Sequence, residues 1–100
     1  MLIYNTTYIV EESDINNFLI WINEYYIPQV QATELLSNPK LLRVLTHQDG
    51  ENQSFSLQWD VSDSQVLHKW YTTQGVKLNM ELIKTFKDKV TGIPTLLEML

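Results

Sequence analysis

Apolar positions along this chain change period segment by segment, and each period predicts an element. Residues Leu2 to Val10 are β-branched and aromatic, with no Pro or Gly, and predict a first strand buried on both faces. Ser13 or Asp14 then supplies a helix cap. Ile15, Phe18, Leu19, Ile22 and Tyr26 follow at spacings of three and four, so they share a stripe that packs on a sheet. Pro28 is expected to end or bend this helix near Ile27, because proline disfavours helical geometry in the residue before it. A further helical turn covers 29–36, Ser37, Asn38 and Pro39 make a turn, and Leu41 to Gln48 reads as the second strand.

Asp49 and Gly50 are the strongest local signal, a pair that favours the positive backbone angles of a tight hairpin. The second and third strands are therefore adjacent and antiparallel. A loop of Asp49 and Gly50, or of Asp49 to Asn52, groups the same side chains by face. Leu42, Val44, Thr46, Phe55, Leu57 and Trp59 fall on one face, apolar enough to lie under helices. Leu41, Arg43, Leu45, His47, Ser54, Ser56 and Gln58 fall on the other. Ser62 or Asp63 caps the second helix, with Val66, Leu67 and Trp70 inward, and Gly75 is expected to break it. Leu78, Leu82 and Phe86, with Ile83 beside them, mark a second helical piece. The last strand, Lys89 to Met99, contains Gly92 and Pro94, which suits an edge or a bulge.

Strand, helix, strand, strand, helix, strand is the split βαβ, or ferredoxin-like, order. The prediction is one α+β domain over residues 1–100: βαββαβ, with a four-stranded antiparallel sheet and two helices on one face. That plan hosts many unrelated activities, so function has to come from particular residues.

Composition removes several classes. A net charge of −5 without any Lys/Arg run gives no field to attract phosphate backbones or anionic lipid, which argues against nucleic acid and membrane partners. The opening MLIYNTTYIV has no basic n-region and turns polar at Glu11 and Glu12, so it reads as neither signal peptide nor spanning helix. The absence of cysteine removes disulfides, thiolate metal sites and Cys nucleophiles, and fits a cytoplasmic location.

The segments IYNTT, YYIPQVQAT, KLLRVL and TLLEML together resemble an uncharacterised bacterial domain-of-unknown-function family in the dimeric α+β barrel superfamily. The resemblance implies a homodimer in which two sheets face each other with helices outside. In that family a His often precedes the Ile-Pro pair; here Tyr26 holds the place. The superfamily also includes cofactor-free monooxygenases and haem-degrading enzymes that use an Asn on the first strand and a Trp on the second helix, positions that Asn5 and Trp70 resemble. The haem-degrading pattern needs a further His on that helix, where this chain has Met80 and its neighbours.

The candidate chemistry is sparse. His47 and His68 stand in no ligand-spaced set, and no nucleophile elbow, Walker loop or dinucleotide fingerprint is present. Glu11, Glu12 and Asp14 suit a solvated helix start. No catalytic residue, metal ligand or cofactor is therefore assigned. The aromatic residues Trp21, Tyr25, Trp59 and Trp70, with Asn5, form the candidate pocket for a small apolar or aromatic ligand. Leu41, Arg43, Leu45 and His47 form the candidate homodimer face, too apolar for free solvent and too polar for a covered core. These residues favour a homodimeric binding or accessory protein. The alternative is a cofactor-free monooxygenase-like enzyme acting on a small aromatic compound.

Overall fold

The computed structural model describes residues 1–46 and 50–100. Its four strands are β1 (Leu2–Val10), β2 (Ser37–Arg43), β3 (Gln53–Val61) and β4 (Val90–Glu98), joined in one sheet in the order β2–β3–β1–β4. Helices α1 (residues 15–32) and α2 (residues 64–86) connect β1 to β2 and β3 to β4, completing the ferredoxin-like plan. β1 pairs antiparallel along its whole length, from Leu2↔Val61 to Val10↔Gln53 on one side and from Leu2↔Glu98 to Val10↔Val90 on the other. Its inner place explains why this strand is the most apolar and carries neither Pro nor Gly. Pro94 lies on β4, an edge strand that needs donors on one side only.

Strand alternation sorts the sheet into two faces. Thr6, Tyr8 and Val10 of β1 and Phe55, Leu57, Trp59 and Val61 of β3 are buried under the helices. The expectation that β1 is buried on both faces is corrected: Ile3, Asn5, Thr7 and Ile9 are half-buried on a face that no helix covers. From α1, Phe18, Ile22, Tyr26 and Val30 reach the core, and from α2, Trp70, Leu78, Leu82 and Phe86 do. Phe18 sits at the hub, with ring centroids 5.1 Å from Tyr8, 5.8 Å from Phe55 and 6.1 Å from Phe86.

Both helices differ from expectation in the same way. Neither Pro28 nor Gly75 breaks its helix; each helix runs through on a single widened turn. Residues Ile22–Tyr26 form a π turn in which the Ile27 N–H donates to the Ile22 carbonyl, five residues back. This wider spacing gives the Pro28 ring room that a regular turn denies it. Residues Tyr71–Gly75 form the second π turn, with the Val76 N–H donating to the Tyr71 carbonyl. Gly75 is helical, and its role is space. A Cβ there would lie 2.8 Å from Cζ3 and 3.1 Å from Cη2 of Trp70, and 2.9 Å from Cδ1 of Tyr71. Asp63 caps α2, its carboxylate accepting from the Val66 N–H at 2.9 Å. Asp14 holds the corresponding place before α1 without a side-chain hydrogen bond, and a 3₁₀ turn at Glu12–Asp14 leads in.

β2 departs most from the sequence reading. Ser37, Asn38 and Pro39 belong to the strand as a bulge, between the pairs Ser37↔Asp60 and Lys40↔Gln58, rather than forming a separate turn. Asn38 takes φ 52° there, and its Nδ2 donates to the Asp60 carboxylate at 2.8 Å. Beyond the bulge the pairs are Leu41↔Leu57, Leu42↔Ser56 and Arg43↔Phe55. The register differs by one residue from that of a two-residue loop and by three from that of a four-residue loop, an odd number either way, so these β2 side chains change face. Gly50 does take φ 60°, whereas Gln48 and Asp49 lie outside the described residues.

Candidate functional site

A partly enclosed cavity of about 180 Å³ lies between the helix-covered end of β1, β4 and the middle of α2. Its floor is Tyr4, Thr6 and Tyr8, alternate residues on one face of β1. Gly92 and Pro94 of β4 extend the floor. Gly92 stands opposite Tyr8, and a Cβ there would meet the Tyr8 ring at 3.3 Å, so the glycine lets the ring lie flat across β4. The roof is Trp70, Gly75, Leu78, Asn79 and Leu82 of α2, and Tyr26 of α1 closes the inner end. Tyr4, Tyr71 and Pro94 also line an exposed groove with Ser64, Leu67 and His68, which makes those three the mouth.

The lining is aromatic and hydroxylic. The Thr6 hydroxyl neighbours the phenols of both Tyr4 and Tyr8, and the Tyr26 phenol neighbours that of Tyr8. Burial pushes the Tyr8 phenol up to about 12, a rise that its contacts with Tyr26 and Thr6 only partly offset. Burial, then the neighbouring Tyr8, holds Tyr26 well above the usual phenol range, and burial raises Tyr4 despite its Thr6 contact. All three are therefore neutral donors and acceptors at physiological pH. The Trp70 ring packs 5.8 Å from Tyr4, and its indole Nε1 is buried without a hydrogen-bond partner among the described residues.

The candidate pocket residues are only partly brought together. Trp70 lines the cavity. Asn5 lies on the opposite, uncovered face of β1, where the Ser56 hydroxyl donates to its side-chain oxygen and its Nδ2 donates to Thr7 Oγ1 at 3.3 Å. Trp59 is a core residue, 1% exposed, and not a cavity wall. Trp21 and Tyr25 pack with tilted rings, centroids 5.7 Å apart, beside Phe86, in a separate shallow groove between the outer surfaces of the helices. Burial with a shared hydroxyl row would have singled out Tyr4, Thr6, Tyr8 and Tyr26. The alternation of Tyr4, Thr6 and Tyr8 was visible only as strand pattern, and Tyr26 only as a stripe position.

The candidate dimer face is corrected by the register of β2. Leu41 and Arg43 lie on the helix side, Arg43 with its guanidinium 5.6 Å from the centre of the Phe55 ring. Leu45 is exposed beyond the end of β2, and His47 lies outside the described residues. The uncovered face instead presents Leu42, Ile93 and Leu97, each 41–49% exposed, around the polar chain Asn5, Ser56 and Gln58. Among the described residues, no group of three or more His, Cys, Asp or Glu is placed to hold a metal, and no helix is long and apolar enough to cross a membrane.

Fold and cavity together define a ferredoxin-like α+β domain with a small aromatic chamber between sheet and helix. The chain belongs to the family described as a domain of unknown function (DUF4286), which it matches over residues 1–100. Its fold is similar to that of HapK from Hahella chejuensis, at 10% identity and a TM-score of 0.73, covering 100% of this chain and 93% of that one. A putative antibiotic biosynthesis monooxygenase from Deinococcus radiodurans is similar at 17% identity and TM-score 0.67, with the same coverage of 100% and 93%. A dimeric ferredoxin-like protein from an uncultured marine organism is similar at 11% identity and TM-score 0.70, covering 100% and 95%. No curated protein matches the chain.

Proposed function

We propose that this chain is a cytoplasmic homodimeric binding or accessory protein that holds a small, mainly aromatic ligand between β1 and α2. The observation that carries this reading is the cavity of about 180 Å³ walled by Tyr8, Tyr26, Trp70, Leu78 and Leu82. An apolar cavity of about 150 Å³ holds a molecule of benzene, so this one suits a single ring and is small beside most cofactor sites. The chemistry of the wall favours holding over turnover. Tyr4, Tyr8 and Tyr26 are kept protonated, so none of them serves as a base at neutral pH. A cofactor-free monooxygenase acting on a small aromatic compound is the rival reading; the name of the Deinococcus radiodurans neighbour carries a monooxygenase activity, and of Asn5, Trp59 and Trp70, which favoured that reading in the sequence, Trp70 lines the cavity whereas Asn5 faces away from it.

Self-association is supported by Leu42, Ile93 and Leu97 on the uncovered sheet face and by the dimeric description of a structural neighbour. A net charge of −5 argues against nucleic acid and anionic membrane partners, and a chain without cysteine suits a reducing compartment. Single-ring probes at millimolar concentration test the binding reading. A ligand that occupies only the folded form raises the melting temperature and perturbs Trp70 fluorescence. No shift with any ring-sized probe refutes it.

A further inference from the structure

We propose that the cavity selects an uncharged single-ring aromatic carrying a hydroxyl, the phenol class, over hydrocarbon, carboxylate or ammonium analogues of similar size. This rests on the binding reading above and adds to it the chemistry of the ligand. The charge of the wall excludes ions. None of the residues lining the cavity carries a formal charge. A carboxylate or ammonium group placed there loses its hydration and gains no counter-ion, so it is rejected.

The hydroxyl row excludes plain hydrocarbon. Tyr4, Thr6 and Tyr8 line one side at alternate positions of β1, and Tyr26 reaches in from α1. Each hydroxyl donates once and accepts as well, and their contacts run Tyr4, Thr6, Tyr8, Tyr26 as one chain. A phenol joins such a chain with one atom that both donates and accepts. Toluene fills the same volume but leaves the chain without that partner, and a site built around hydroxyls discriminates against the analogue that lacks one. Trp70 also lines the cavity. Its rigid ring, held against Tyr4, gives the ligand a flat wall.

Four probes of one ring each test this on the full chain at pH 7: phenol, toluene, benzoate and benzylamine, titrated by thermal shift and by tryptophan fluorescence. Phenol is expected to bind roughly tenfold more tightly than toluene, the worth of about one net hydrogen bond. Benzoate and benzylamine are expected to show no saturable shift. Tyr26→Phe removes one hydroxyl with little change of shape, and Thr6→Val is the second variant should the first not fold. Either is expected to bring the phenol-to-toluene ratio close to one while toluene affinity stays near that of the parent. Toluene binding as tightly as phenol in the parent, or benzoate or benzylamine binding best, overturns the proposal and leaves the binding reading standing. Failure of all four probes removes both.

Discussion

Gly75→Ala should destabilise the protein, although alanine is the better helix former. Gly75 has ordinary helical geometry, with φ −60° and ψ −41°, so the exchange by itself should gain about 1 kcal/mol. The added Cβ, however, falls 2.8 Å from Trp70 Cζ3 and 2.9 Å from Tyr71 Cδ1, closer than carbon atoms approach without displacement. Tyr71 is 45% exposed and can swing away, but Trp70 is 1% exposed and is held between Tyr4 and the core. Forcing extra volume against a packed ring costs about 1–3 kcal/mol, which outweighs the helix gain and leaves a net loss of about 0–2 kcal/mol. For a chain of this size each kcal/mol moves the melting temperature by roughly 4–8 °C. Guanidinium unfolding at fixed chain concentration, followed by tryptophan fluorescence and by circular dichroism, measures the change. The Trp70→Phe background supplies the control, because it removes the benzo ring that meets the new methyl. There Gly75→Ala should become stabilising, a reversal read directly as coupling energy. If Gly75→Ala raises stability in the parent, or the two exchanges prove additive, the space argument for this glycine is wrong.

Trp59→Ala, at a position 1% exposed, should cost about 3–5 kcal/mol, whereas Trp59→Phe should cost much less because Trp59 Nε1 has no hydrogen-bond partner to lose among the described residues; urea titration of both variants decides. Alkaline pH should unfold the protein through its buried phenols. Their folded values lie above the unfolded value near 10, so the stabilisation is whole below about pH 10 and is lost as pH rises toward about 12, by about 2–3 kcal/mol for Tyr8 alone. Denaturant midpoints at pH 8, 10 and 11 should fall in that order, while a flat profile contradicts the burial of Tyr8 and Tyr26. Sedimentation at micromolar concentration should find a dimer that Ile93→Asp converts to monomer, whereas Arg43→Glu should leave association intact and lose only its stacking on Phe55; a monomeric parent refutes the dimer.

The fold was legible in the sequence because local periodicity is a local property. The alternation of Thr6, Tyr8 and Val10, the stripe of Phe18, Ile22 and Tyr26, and the row of Leu78, Leu82 and Phe86 each require only that one face be buried, and each is found buried. Composition likewise showed a net charge of −5 with no run of Lys or Arg, and so no strong positive field. What the tertiary structure decided were matters of register and shape. A single residue of slip at the Asn38–Pro39 bulge moves Leu41 and Arg43 to the helix side and Leu42 to the open one, and nothing within the strand itself encodes that choice. Proline and glycine read locally as helix breakers, yet a π turn absorbs Pro28, and Gly75 answers to a ring of Trp70 five residues away. The same holds for the site. Asn5 and Thr6 are neighbours in sequence, but strand pleating sends one to each face, so the chamber recruits Tyr4, Thr6 and Tyr8 with Tyr26 and leaves Asn5 outside. A cavity is made by residues distant along the chain, and its walls are fixed only when strand, helix and glycine have found their packing.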